Sequence, residues 1–148
     1  SEIGYNYRIS NICAAIGVGQ IEVLSDRVNR KREIFNFYKS ELSGIKEITF
    51  LEESNGSFSN YWLTTILLDK NSTIDREQMR LHLEKDNIES RPLWKPMHLQ
   101  PIFRSCKSYV NGVSENLFNM GLCLPSGSAM TNEDLQRIVR KVKELYEV

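Results

Sequence analysis

The chain has 148 residues, 41% apolar and 26% charged, which is the balance of one folded domain and excludes a disordered or fibrous polypeptide. Its 19 basic and 19 acidic side chains cancel and are spread along the whole length, so no electrostatic footprint for nucleic acid or an anionic membrane stands out. No run approaches the ~18 apolar residues needed to span a bilayer, and the first ten residues have neither the basic nor the apolar part of a signal peptide, so a cytoplasmic protein is expected.

The first long element runs from about Asn11 to Leu42, where Ile12, Ala15, Ile16, Ile21, Leu24, Val28, Ile34, Phe35, Tyr38 and Leu42 recur at helical spacings. Ser10 or Asn11 is placed to cap its start and Gly44 to close it. Unbroken, such a helix extends roughly 45 to 50 Å at ~1.5 Å per residue, longer than a domain of this size is wide. Its first half, "NICAAIGVGQI", is small and nearly uncharged, whereas "SDRVNRKREIFNFYKSEL" has one charged and one apolar face. A helix apolar all round is covered all round, and Gly17 and Gly19 suggest close approach of another backbone. Either this half is a core helix of the domain, or residues 1–18 belong to something larger and the domain proper is 19–148.

"KEITFLEE" and "SNYWLTTILLD" read as strands, the second rich enough in β-branched and aromatic residues to be central, with "SNGS" as the loop between them. "IDREQMRLHLEKDN" is an amphipathic helix opened by a capping box, Asp75 with Gln78. "IESRPLW" reads as another strand, which Pro92 confines to an edge or a bulge. A short helix from about Ser114, the segment "GLCLPSGS", and a final helix from Thr131 to Tyr146 opened by the box "TNED" complete the chain. Strands alternating with helices predict a small α/β domain, an α+β sandwich.

Chemistry-bearing motifs are sparse. Cys13, Cys106 and Cys123 are odd in number and lack metal spacing, and His82 and His98 are too few and too far apart for a metal site. "GVGQIEV" lies inside a helical pattern and lacks the third glycine of a dinucleotide loop. Two stretches stand out. In "SRPLWKPMHLQPIF", prolines at 92, 96 and 101 bias Arg91, Lys95 and Gln100 toward extended backbone. Arg91 and Lys95 suit a phosphate, Trp94 suits the cover of a ring, and His98 is a donor or acceptor at neutral pH. The same residues also fit a proline-stiffened connection with a core Trp and solvated charges. In "GYNYRISN", Asn6 and Arg8 stand before a helix start that suits an anion, or they belong to a plain polar turn.

Taken with "SNYWLTTILL" and "GLCLPSGSAMTNEDLQRIVRKV", these stretches resemble, in order and over essentially the entire chain, the C-terminal part of the pyridoxal-phosphate-dependent sugar aminotransferases of the DegT/DnrJ/EryC1/StrS family. "RPLWKPMHLQPIF" with "LCLPSGS" looks most like the branch acting on UDP-linked 4-keto-6-deoxy-N-acetylhexosamines, on the way to bacillosamine-type sugars of surface polysaccharide or glycoprotein. The resemblance implies the small C-terminal domain of the aspartate-aminotransferase fold (fold type I), in a homodimer, with the long helix joining it to the cofactor domain. It implies that Asn6 reaches the pyridoxal phosphate of the neighbouring subunit. It places Arg8, Arg91, Trp94, Lys95 and His98 on the nucleotide-sugar side. The family's aldimine lysine, its pyridinium-pairing aspartate and its ring-stacking aromatic all precede "GYNYR", so no catalytic residue is assigned to this chain. It is expected to be inactive alone, as a fragment of an enzyme moving an amino group from an amino acid such as glutamate to a keto sugar. The alternative is a stand-alone, non-catalytic assembly module or the vestigial product of a truncated gene.

Overall fold

The computed structural model describes residues 8–147. Helix α1, Asn11–Glu22, begins where Ser10 accepts a hydrogen bond from the Cys13 amide at 3.2 Å, and α2, Leu24–Leu42, follows after a single residue. Two helices thus replace the single one expected. At Val23 the backbone turns to φ −108°, ψ 8° without any side-chain cap, a break that leaves no mark on hydrophobic periodicity. Nor is the first half a core helix: α1 contains no buried residue, and Ile12, Ile16 and Ile21 are each more than 60% exposed. A methyl group added at Gly17 or Gly19 would meet nothing within 4 Å, so among the described residues no other element approaches them.

From Ile34 onward the helical face is covered. Ile34, Phe35, Tyr38 and Leu42 are buried at spacings that put them on one side of α2. They pack onto an open four-stranded sheet of β1 (Ile48–Phe50), β2 (Thr64–Leu68), β3 (Arg91–Pro92) and β4 (Gly121–Leu124), ordered β1-β2-β4-β3 and antiparallel throughout. Register pairs Ile48 with Leu68, Ile66 with Leu122 and Thr64 with Leu124, so alternation puts these side chains on one face, while Thr65 and Cys123 share the other. β2 is central as its composition requires, and Pro92, with no N–H to donate, sits on the edge strand β3. "GLCL", which carried no strand assignment, is the second central strand. Its run has no polar alternation because all four residues are buried.

Helix α3, Arg76–Lys85, starts with the expected capping box: Gln78 N donates to Asp75 Oδ1 at 2.7 Å and Asp75 N to Gln78 Oε1 at 2.8 Å. Helix α4, Val113–Met120, leads straight into β4. Helix α5, Asn132–Glu144, opens on the reciprocal Thr131–Asp134 box and buries Leu135, Ile138, Val139 and Val142, an i, i+3, i+4, i+7 stripe. Met79 and Leu83 of α3 join this stripe, the α2 face and the Ile66/Leu122 face in one core. Each such fully buried aliphatic side chain contributes roughly 1.5–3 kcal/mol. This is the expected α+β sandwich. Among the described residues no helix is long and apolar enough to cross a membrane.

Candidate functional site

β2 and β4 part company at Thr64 and Leu124, the last pair of their ladder. Pro125 cannot donate to a further rung, and side chains take over. Thr64 N donates to Ser126 Oγ at 2.8 Å, Ser126 Oγ donates to Leu124 O at 2.9 Å, and the buried phenol of Tyr38 donates to Pro125 O at 2.9 Å. Burial pushes that phenol well above the usual tyrosine range. Beyond this end of the ladder lies a cleft of about 860 Å³, whose walls include Trp62, Arg91, Trp94, Cys123, Ser126 and Arg137.

The indoles of Trp62 and Trp94 stack at 5.7 Å between ring centroids and 27° between planes, although each is more than half exposed. Two exposed tryptophans held face to face form a flat apolar platform suited to a planar ring. Arg91, paired with Cys123 in the β3–β4 ladder, stands beside them. Its guanidinium reaches Glu89 Oε1 from Nε at 2.8 Å, with the arginine side chain 78% and the glutamate 73% exposed. So exposed an ion pair has little net worth, and an anionic ligand can displace Glu89. Arg137 is fixed to the Asp86 carbonyl.

Of the residues expected to bind substrate, Arg91 and Trp94 meet in the cleft and the others do not. Lys95 is exposed and lies outside the cleft lining. His98, also outside it, points to α4, its buried Nε2 lying 3.7 Å from Glu115 Oε2. Gln100 keeps the extended backbone expected before a proline, but two short 3₁₀ turns, Met97–Leu99 and Pro101–Phe103, fold the segment around it. Arg8 is exposed just ahead of α1, and Asn6 lies outside the described residues. His82 is half-buried against Glu144 at 3.6 Å, as its place on an amphipathic helix suggests. Trp62 carries no site signal in the sequence, because "SNYWLTTILLD" has a strand pattern there, whereas the β2 ladder starts only at Thr64. The usable signal is that Trp62 and Trp94 are the chain's two tryptophans.

The DegT/DnrJ/EryC1/StrS aminotransferase family model matches residues 1–143. The chain belongs to this family. It is 44% identical over 151 residues to EpsN of Bacillus subtilis (strain 168), which its name assigns to the pyridoxal phosphate-dependent aminotransferases, covering 99% of the chain and 38% of that protein. Identity to the GDP-perosamine synthase of Escherichia coli O157:H7 is 38% over 144 residues, covering 97% of the chain and 38% of that enzyme. The chain thus spans about two-fifths of the length of these relatives. Among solved structures, Helicobacter pylori PseC, an aminotransferase involved in the biosynthesis of pseudoaminic acid, superimposes with a TM-score of 0.87 at 20% identity, over 99% of this chain and 40% of that one. S. venezuelae DesV gives 0.86 at 22% identity, over 98% and 38%. The fold is therefore that of part of a fold-type I aminotransferase.

The described residues of this family member do not by themselves make a pyridoxal phosphate site. No lysine lines the cleft, and the amine of Lys31, on α2, is engaged by two main-chain carbonyls. What the cleft offers is a stacking surface and one displaceable arginine.

Proposed function

We propose that this chain forms the nucleotide-sugar wall of a pyridoxal phosphate-dependent aminotransferase that moves an amino group from an amino acid, glutamate foremost, to a nucleotide-linked keto sugar in surface polysaccharide or glycan biosynthesis. The reading is supported by family membership together with one observation, a cleft in which the Trp62–Trp94 platform flanks a weakly paired Arg91. In it the indoles carry the base and the Arg91 guanidinium meets the diphosphate, a charge-assisted contact that fixes the sugar's position. The names of the perosamine synthases carry a GDP-linked sugar, while "RPLWKPMHLQPIF" with "LCLPSGS" resembles the branch acting on UDP-linked 4-keto-6-deoxy-N-acetylhexosamines, so a UDP-linked sugar is the first to try and a GDP-linked one the second. Residues 1–18, with α1 uncovered, pack on the cofactor domain and the second subunit of a homodimer, and 19–148 form the small domain. Asn6 meets the cofactor phosphate from there, while Arg8 and Lys95 complete the substrate side across the same junction and His98, turned toward Glu115, stays behind it.

The test is steady-state kinetics of the polypeptide carrying this chain together with a cofactor domain. It is supplied with pyridoxal phosphate, glutamate and UDP- or GDP-linked 4-keto-6-deoxyhexoses, and the amino sugar is read by mass spectrometry. Losing a charge-assisted hydrogen bond worth ~1.5–3 kcal/mol, Arg91→Ala raises KM for the nucleotide sugar about 10- to 100-fold and leaves KM for glutamate within about twofold. An equal rise in both KM values overturns the assignment. Amino-sugar formation by the 148-residue chain alone, or a borohydride-stable cofactor adduct on Lys95, overturns the view that the catalytic half lies elsewhere.

A further inference from the structure

The platform of two indoles raises a question of support, because exposed tryptophans do not hold a fixed mutual geometry on their own. The ladder sets Thr64 against Leu124, and continuing it by two residues sets Trp62 against Ser126. There the strands have separated, and two carbonyl oxygens are left without ladder donors. The Nζ of Lys31, reaching up from α2, donates to Trp62 O at 2.9 Å and to Ser126 O at 2.8 Å. One ammonium thus replaces the missing rung.

A second brace acts from the other side of Trp62. Tyr61 has φ +43°, the left-handed region that costs a bulky non-glycine residue about 1–3 kcal/mol and persists only where neighbours impose it. Its ring lies flat on Phe35, 3.8 Å between centroids and 11° between planes, its N donates to Ser59 Oγ at 3.1 Å, and its hydroxyl accepts from Glu53 N at 3.1 Å. Trp62 is therefore gripped at both ends, through Tyr61 and through its own carbonyl. Partial burial pushes the Lys31 amine below the usual lysine range, in keeping with an ammonium withdrawn from water by its two carbonyl partners.

We infer that Lys31 is a positioning residue of the cleft: by tying the Trp62 carbonyl to the Ser126 carbonyl it sets the Trp62 indole against Trp94 and so fixes the surface on which a nucleotide base is read. Lys31 does not line the cleft. It acts through main-chain oxygens, which couples the helix face of α2 to the width of the cleft. The functional half of this statement rests on the nucleotide-sugar reading above, whereas the positioning half does not.

Because Trp62 and Trp94 are the chain's two tryptophans, tryptophan fluorescence and the indole–indole exciton signal report on this pair. Stacked indoles give an exciton couplet in circular dichroism, and Trp62→Phe abolishes it in a chain that still melts cooperatively, which assigns the signal. Lys31→Met keeps the aliphatic stem and removes the donors, and is expected to lose most of the couplet while keeping a cooperative melt, with Lys31→Arg restoring it in part. If Lys31→Met does not fold, Lys31→Gln, with one shorter donor, takes its place under the same expectation. A couplet of wild-type amplitude in a folded Lys31→Met or Lys31→Gln chain overturns the inference. Titration with UDP and with GDP, read by tryptophan quenching, separates the two halves. Binding about tenfold weaker in Lys31→Met supports both, since the lost bonds to a charged group are worth ~1.5 kcal/mol or more. A lost couplet with no quenching of the wild type by either nucleotide sustains the positioning role and removes the nucleotide reading.

Discussion

Gly121 joins the end of α4 to the start of β4, at the point where the sheet meets the segment carrying Trp94. Its backbone, φ −92° and ψ 137°, is extended and open to any residue, so replacing it carries no conformational penalty. The obstacle is space. A Cβ built there falls inside the envelope of Leu93 Cδ1 and 2.6 Å from the carbonyl oxygen of Leu117. Leu93 can rotate, but the Leu117 oxygen accepts the Gly121 amide at the helix end and recedes only if α4 or β4 moves. Overpacking of this kind costs ~1–3 kcal/mol, and a main-chain obstacle puts Gly121→Ala in the upper half, about 2–3 kcal/mol. For a domain of this length that lowers Tm by roughly 5–10 °C. Urea and thermal unfolding followed by far-UV circular dichroism measure it, with the urea slope unchanged if the denatured state is unaffected. A loss below about 0.5 kcal/mol, the range of an ordinary surface change, refutes the packing argument.

Two further outcomes follow from other parts of the molecule. Glu53 receives both Nη atoms of Arg32, at 2.9 and 3.0 Å, and the Ser59 amide at 2.7 Å, and the arginine hydrogen bond followed by the amide holds its carboxyl down to about 2. A depressed carboxylate stabilises the fold above its unfolded pKa, ordinarily 4.5, and that contribution fades as pH falls toward 2. The stability difference between wild type and Glu53→Gln is therefore expected to be flat at neutral pH and to shrink below pH 4.5, and urea midpoints that keep a constant gap down to acid pH contradict it. On α1, Ile12→Lys with Ile16→Lys is expected to change unfolding free energy by less than about 0.5 kcal/mol, because both side chains are exposed, while lowering self-association in sedimentation. A loss above about 1 kcal/mol shows that α1 is packed within this chain after all.

Local chemistry was legible in the sequence wherever its partners lie within one turn. The capping boxes Asp75/Gln78 and Thr131/Asp134 and the α5 stripe are set by neighbours three or four residues away, so their spacing alone determined them. Pro92 on an edge strand followed from its missing N–H, and the central place of β2 from its side chains. "GLCL" was not legible, since a strand covered on both faces has no alternation to read, and neither was the break at Val23, which no cap announces. For the site, sequence brought forward Arg91 and Trp94 but also Lys95 and His98 from the same proline-rich segment. Two 3₁₀ turns take His98 away toward Glu115. Trp62 lies 32 positions from Trp94 and Lys31 lies 95 from Ser126. Those distances are closed by the β2–β4 and β3–β4 registers and by the side of α2 that faces them, so only the tertiary structure could bring the indoles together and show which amine holds them.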